Sequence, residues 1–356
     1  MVVPSTPRAS ILKKMTWNRA FPNRQSPLWG AVGFLIVAAT ALPASAQAVE
    51  DDDSRPIFNF TFENDLFADS DGHYTNGIQF SWLTGAQKNE SWLRDVAMAM
   101  PIFDADSKLR FEYSLGQQIY TPREIDISYP QPNDRPWAGW LYVNLGFVAE
   151  TEGKRLDQFQ AGLGIVGPGS LAKDTQKFVH TVIGATDPEG WNNQLKTEPT
   201  LQFTYQRSWR AAEAKLAGFE MDATPHLGAA LGNALIYANT GAMARFGQDM
   251  PDDYGPPRLD TGLAGSGYFK PRGEWGWYIF AGADGRAVGH NIFLDGNSFR
   301  TGPSVDKKTL VGDWQAGFAV VIGNARIAYT QVFETKQFYG QDYGDSYGSV
   351  TLSVRF

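Results

Sequence analysis

The last eight residues, Ser349-Val350-Thr351-Leu352-Ser353-Val354-Arg355-Phe356, put apolar side chains on even positions and polar ones on odd positions up to a terminal aromatic. Successive side chains of a strand point to opposite faces, so this octet describes a strand with one apolar and one wet face. The same period returns near 57–65, 74–84, 108–120, 137–150, 154–166, 197–209, 219–230, 233–246, 274–287, 309–322, 325–337 and 346–356. Phe58, Phe60 and Phe62 share the apolar face of the first, and Ile78, Phe80 and Trp82 that of the second. Leu109, Phe111 and Tyr113 do so on the third, and Leu310, Trp314, Phe318, Val320 and Ile322 on the tenth. Twelve is an even number, as a closed single-chain bacterial barrel requires. The predicted fold class is all-β: a transmembrane antiparallel β-barrel of about 12 strands. A soluble sandwich would alternate too, but it gives an exposed terminal Phe356 no purpose. That residue matches the signal read by bacterial barrel-assembly machinery, an expected partner.

Where the period fails, connections are expected. With the N-terminus in the periplasm, the segments near 66–73, 121–136, 167–196, 288–308 and 338–345 fall outside the cell. The third contains a stretch without alternation that reads as a short extracellular helix, started by Ser170 and stopped at Gly184. Two connections on the periplasmic side, 85–107 and 247–273, exceed the short turns usual there. The first includes Ser91 to Met100, which suits a small interfacial helix.

The first 46 residues read as an address. Arg8, Lys13, Lys14, Arg19 and Arg24 precede an apolar run from Leu28 to Leu42 and the small-residue end Pro43-Ala44-Ser45-Ala46. This is the layout of a secretory signal peptide cleaved after Ala46, leaving residues 47–356 as the barrel. Cleavage removes five of the 31 basic residues and none of the 38 acidic ones, taking the formal charge from −7 to −12. So acidic a chain lacks the basic footprint of a nucleic-acid binder and suits holding cations. The absence of cysteine removes disulfides, thiolate metal sites and cysteine nucleophiles together. Aromatic residues are plentiful, with 11 Trp, 14 Tyr and 23 Phe, while mean hydropathy is negative, as interfacial girdles on an alternating wall dictate.

Two constellations could carry chemistry. Glu63-Asn64-Asp65, then Asp69 and Asp71, then Tyr74-Thr75-Asn76-Gly77, gather hard oxygen donors where the first strand ends and the second begins. Ca²⁺ takes six to eight such oxygens; the alternative is an acidic loop that merely keeps the surface wet. Parity sets Glu63, Asp65, Thr75 and Gln79 toward the lumen, and Asn64 away from it unless the strand has already broken. In the expected helix, Gln176 and His180 stand four apart and share a face above the same mouth. Imidazole titrates near neutrality, which suits a general base, although a lone surface histidine is more often inert.

Several runs, in this order, closely resemble the lipid A 3′-O-deacylase (LpxR) family. They are Asn64-Asp65-x-Phe67 through Asp71 to Tyr74-Thr75-Asn76-Gly77; Asn133-Asp134-Arg135-Pro136-Trp137-Ala138-Gly139-Trp140; Val166-Gly167-Pro168; Gln176-x-x-x-His180; Gly190-Trp191-x-x-Gln194-Leu195-x-x-Glu198-Pro199; and Asn291 to Asn297. The resemblance implies a twelve-stranded outer-membrane barrel that removes a 3′-linked acyloxyacyl chain from lipid A of lipopolysaccharide and requires Ca²⁺. It implies Asn64, Asp65, Thr75 and Asp71 at the metal, and His180, Gln176, Asn64 and Thr75 in catalysis, at an extracellular-facing mouth. The best-known enzyme of that family has a lysine in the loop after the third strand. Here Arg123-Glu124-Ile125-Asp126-Ile127 has none, which leaves Arg123 and Arg135 as candidate substrate contacts. The competing expectations are a non-enzymatic channel or surface barrel, and an outer-membrane phospholipase.

Overall fold

The computed structural model describes residues 53–68, 73–86, 91–259 and 265–356; the segment expected to be an export leader, Asp69 and Asp71 lie outside them. Twelve long strands follow one another as β1 (Ile57–Asn64), β2 (His73–Leu83), β3 (Lys108–Thr121), β4 (Ala138–Thr151), β5 (Arg155–Val166), β6 (Glu198–Trp209), β7 (Phe219–Gly232), β8 (Leu235–Gln248), β9 (Trp275–Asn291), β10 (Leu310–Ile322), β11 (Ala325–Glu334) and β12 (Ser346–Arg355). Each pairs antiparallel with its neighbours, and the ring closes where Ile57 of β1 meets Arg355 of β12. Closure gives each of the twelve long strands a partner on both sides, as an apolar surround demands; a short strand, Ala212–Leu216, extends the hairpin before β7 and pairs with β7 alone. The strands stand where alternation predicted, except that β9 runs on to Asn291 and β11 stops at Glu334. Beyond Glu334, the last residue of β11 paired with β10, the chain turns away.

Alternation sorts the wall. Asn59, Thr61 and Glu63 face the lumen, where Asn59 donates to Ser81 (3.2 Å) and Thr61 meets Thr351 (3.2 Å). Phe58, Phe60 and Phe80 face outward, their rings 5.2–6.4 Å apart. On β3 and β4 the outward set is covered in part. Helix α1 (Trp92–Met98), capped by Ser91, packs Ala97 with Phe103 against Leu109, Phe111, Phe147 and Ala149, so a short helix stands in the stretch where one was expected.

The long connection after β8 turns into the barrel. Tyr254, Tyr268 and Phe269 pack with Ile57, Leu83 and Val321 inside one end. Higher up, Gln118 donates to the Leu259 carbonyl (2.8 Å) and the Leu259 N–H donates to Glu63 (2.9 Å). Arg258 donates to Asp313 (3.2 Å) and Gln315 (3.1 Å) and lies over the Tyr347 ring. Within the same connection Asp253 accepts from Arg245, Arg326 and the Tyr278 hydroxyl, and Asp222 of β7 accepts from Arg245. Charges withdrawn from water persist when paired in this way, and removing one partner costs about 3–5 kcal/mol. At the other end the rings of Tyr74, Tyr120, Tyr347 and Phe293 form an aromatic layer, Phe293 stacking on Tyr120 at 4.2 Å. The described parts of the 247–273 connection thus spend its excess length inside the lumen.

Candidate active site

At the rim that carries the connections after β1, β3 and β5, Asn64 ends its strand by side-chain hydrogen bonding. Its Oδ1 accepts the Leu66 N–H (2.9 Å), turning the chain into the short 3-10 segment Asp65–Ala68, and its Nδ2 donates to the Thr75 carbonyl (2.9 Å). Asparagine competes with the ladder in this manner, so the break that lets Asn64 depart from strand parity is its own work. Asp65, the next residue, is buried at the start of that turn.

Across the hairpin the register of β2 against β3 slips between Tyr74 and Asn76, leaving Thr75 as the extra residue of a β-bulge. Tyr74 turns into the lumen, where its hydroxyl donates to Glu63 (2.7 Å). Thr75 is thereby moved off the lumen face that parity assigned to it. Its hydroxyl meets that of Thr121 at 2.8 Å, and Thr121 follows the lumen-facing Tyr120 on β3. Asn64 and Asn76 stand opposite each other on this same outer face.

After β5 the chain passes Gly167, at φ 84°, and a 3-10 turn over Pro168–Ser170, then enters helix α2 (Ala172–Ile183). Leu171, left-handed at φ 60°, stands at the helix start where Ser170 was expected; Ser170 belongs to the turn, its hydroxyl bound to the Gly167 carbonyl (2.6 Å). Gly184, left-handed at φ 70°, stops the helix as expected. The helix lies against the outside of the wall. A Cβ on Gly139, an outward position of β4, would fall 2.1 Å from Ala172 Cβ, so only glycine admits this approach. Outward Gln117 of β3 donates to the Ser170 carbonyl (2.6 Å), and Ile119 of β3 packs with Ala172, Trp137 and Trp191. Gln176 and His180 thus flank the wall from outside, and the expected seat above the lumen mouth is corrected to the outer face.

The two polar side chains of α2 are held by different partners. Trp191 donates its indole N–H to Gln176 Oε1 (2.7 Å), while the buried Gln176 Nε2 has no hydrogen-bond partner. His180 Nδ1 is bonded to the Thr186 carbonyl. A carbonyl can only accept, so Nδ1 carries a proton, and the lone pair of the neutral ring is the one on Nε2. The rim end of β3 links the two groups: Thr121 contacts Thr75, and Ile119, two residues earlier, lies under α2.

The remaining candidates fall elsewhere. Arg123 lies on the rim with its guanidinium 3.7 Å over the Tyr343 ring. Arg135 is buried on the lumen side, 5.0 Å over Tyr120 and donating to Gln337 (2.8 Å). It is on the other face of the wall from α2. A feature with no sequence signal is His73, whose ring nitrogens face Asp345 (2.6 Å) and Asp134 (2.9 Å). Two flanking carboxylates make both nitrogens donors, so the ring is an imidazolium clasp between β2 and two rim loops. Burial raises the Asp134 carboxyl, but the hydrogen bond and charge of His73 and the N–H groups of Arg123 and Arg135 outweigh it and hold it below the ordinary carboxylate value.

The family model described as outer membrane protein LpxR matches residues 33–356. The chain belongs to the LpxR family. Among solved structures it is similar to LpxR from Salmonella typhimurium, with 18% identity, a TM-score of 0.69, and coverage of 84% of this chain and 100% of that one. The β domain of the Bordetella autotransporter BrkA (10% identity, TM-score 0.41, 85% and 98% covered) and the translocator domain of NalP from Neisseria meningitidis (8%, 0.38, 94% and 100%) are more distant. Comparison with curated proteins gives no match. Membership in the LpxR family makes the chain an outer-membrane enzyme of the lipid A deacylase type. Its shared fold with the Salmonella LpxR structure is the closed barrel described above.

Proposed function

We propose that this LpxR-family chain is a Ca²⁺-dependent lipid A 3′-O-deacylase that hydrolyses the 3′-linked acyloxyacyl ester at its extracellular rim with a water activated by His180. The observation that carries this reading is the polar face of α2 laid against the outer wall: an imidazole with a free Nε2 lone pair and an amide with an unpaired N–H, where a barrel normally meets lipid. A lipid whose sugar lies at the surface and whose chains lie in the bilayer presents its ester linkages at this height.

His180 Nε2 takes a proton from water as the water oxygen bonds to the ester carbonyl carbon. The Gln176 N–H, held in place by Trp191, donates to the oxygen that gains charge. The proton then passes from His180 to the departing sugar oxygen as the C–O bond breaks, releasing the acyloxyacyl acid. A hard divalent cation would polarise the carbonyl as a Lewis acid. Among the described residues no group of three or more His, Asp or Glu side chains is placed to hold a metal ion, so such an ion would draw on Asp65, the Thr75 hydroxyl, amide oxygens at the Asn64 corner and main-chain carbonyls. That donor set is all oxygen and mostly neutral, and the buried, unpartnered Oδ1 of Asn76 beside it is an acceptor awaiting a donor or a cation, so the corner fits Ca²⁺.

The test is mass spectrometry of lipid A after incubation with purified protein, with Ca²⁺ or with chelator, for the wild type and His180→Ala. Loss of an acyloxyacyl unit only in the wild type with Ca²⁺ supports the reading. Unchanged lipid A throughout overturns it. A parallel arm with glycerophospholipid distinguishes a phospholipase. The channel alternative gains no support from a lumen occupied by Arg258, Leu259 and the Tyr74, Tyr120 and Phe293 rings.

A further inference from the structure

The two asparagines at the hairpin corner stand directly across β1 and β2 from each other, yet their amides are used differently. Asn64 employs both ends in building the turn, Oδ1 toward Leu66 and Nδ2 toward Thr75. Asn76 is 5% exposed, and neither its Oδ1 nor its Nδ2 has a hydrogen-bond partner. A slot that asked only for packing would be filled better by leucine, since a buried polar group without a partner destabilises the fold that holds it. Its place is fixed by its neighbours. Asn76 pairs with Asn64 on one side and Ile119 on the other, and Ile119 packs under Ala172 and Trp191. Asn76 therefore sits on the outer face between the corner and the β3 position that α2 covers, immediately after Thr75 and across the ladder from the residue that precedes Asp65.

We propose that Asn76, rather than Asn64, is the asparagine that completes the site, its Oδ1 serving as a ligand of the divalent cation held beside Asp65 and Thr75. The inference rests on the esterase reading for the identity of the site and adds to it the residue that binds the ion. Amide oxygens are ordinary Ca²⁺ ligands, and a neutral one adds an oxygen without adding repulsion to Asp65. On this assignment Asn64 shapes the turn, and Asn76 is left unpaired by the protein because its partner is the ion.

The experiment is calorimetric titration of Ca²⁺ into the folded, detergent-solubilised barrel without lipid A, with folding checked by heat-modifiable gel migration. Asn76→Ala is expected to weaken Ca²⁺ binding by at least about tenfold, by analogy with the loss of groups that support a metal. Asn76→Asp, nearly the same in shape and richer in oxygen, is expected to bind at least as tightly as the wild type and guards against a folding artefact. Asn64→Ala is expected to lower the unfolding temperature and to weaken Ca²⁺ less than Asn76→Ala does. The inference is overturned if Asn76→Ala binds like the wild type, if Asn76→Asp is as weak as Asn76→Ala, if the two asparagines rank in the reverse order, or if the wild type binds no Ca²⁺. Lipid A turnover is read separately. Turnover with unaltered Ca²⁺ affinity in Asn76→Ala sinks this assignment and spares the esterase; weakened Ca²⁺ binding in a protein that never deacylates lipid A does the opposite.

Discussion

Two short helices lie on the outside of the same pair of strands, and they differ in what they bury. At one end α1 sets Ala97, its buried residue, over Leu109 and Phe111 of β3 and Phe147 and Ala149 of β4. At the other end α2 covers β3 and β4 with Ala172, but it also buries Gln176 and His180. Shielding an apolar wall needs only the first arrangement. Burying an amide and an imidazole under the second costs desolvation that packing does not return, and one buried N–H there has no partner. The wall and the two strands are shared, so the difference isolates the polar pair as the part with a task beyond cover.

Breaking the pair should affect rate far more than folding. His180→Ala is expected to lower deacylation by about 10³-fold, equivalent to about 4 kcal/mol, with the heat-modifiable gel shift unchanged. An unchanged rate would make the imidazole a bystander and remove the contrast between the helices. Gln176→Glu is a gentler change that keeps an oxygen for the Trp191 indole and deletes the unpaired N–H. A fall of about 10²-fold in kcat is expected, as for removal of a single donor to a developing oxyanion. If KM alone changes, the amide binds substrate without distinguishing the transition state.

The converse holds at α1. Leu109→Ala is expected to destabilise the barrel by about 2 kcal/mol, measured by tryptophan fluorescence during urea unfolding in detergent. Its kcat should remain that of the wild type in the folded range. A lowered kcat would mean that the two covers communicate through β3 and β4.

The barrel was readable because a wall between lipid and a polar lumen imposes period two on every strand, and even the 219–246 region obeyed as β7 and β8. Helix α2 was readable from lost alternation and from Gly184. Its position was not: the sequence has no mark for which side of a wall a helix lies on, and the telling residue is Gly139 on a different strand. The face of Thr75 escaped for a similar reason. One inserted residue inverts parity, and Tyr74-Thr75-Asn76-Gly77 reads the same with or without a bulge. The lumen loop was visible only as excess length, since its partners Glu63, Gln118 and Asp313 are distant in sequence and polar for the ordinary reason that they face the lumen. Asn76 could not be ranked above Asn64 without knowing which amide the turn consumes.

The smallest expected effect concerns how the polar cover is held. Asp134 precedes Arg135-Pro136-Trp137, and Trp137 packs with Ala172 and Trp191 beneath α2. Its ion pair with His73 therefore ties that segment to the start of β2, two residues before Thr75. Because the Asp134 carboxyl is held below its ordinary value of 3.8, its contribution is complete above that pH and is lost as acid protonates it in the folded state, further down. Amide hydrogen exchange in α2 should then accelerate below about pH 4, and more than in α1, beside whose partner Phe103 the acid-sensitive pair is the more exposed Asp104 with Arg155. Asp134→Asn should raise exchange in α2 at neutral pH and flatten its acid limb. Parallel acceleration of both helices would assign the acid response to the whole barrel, and the two covers would no longer differ in how they are anchored.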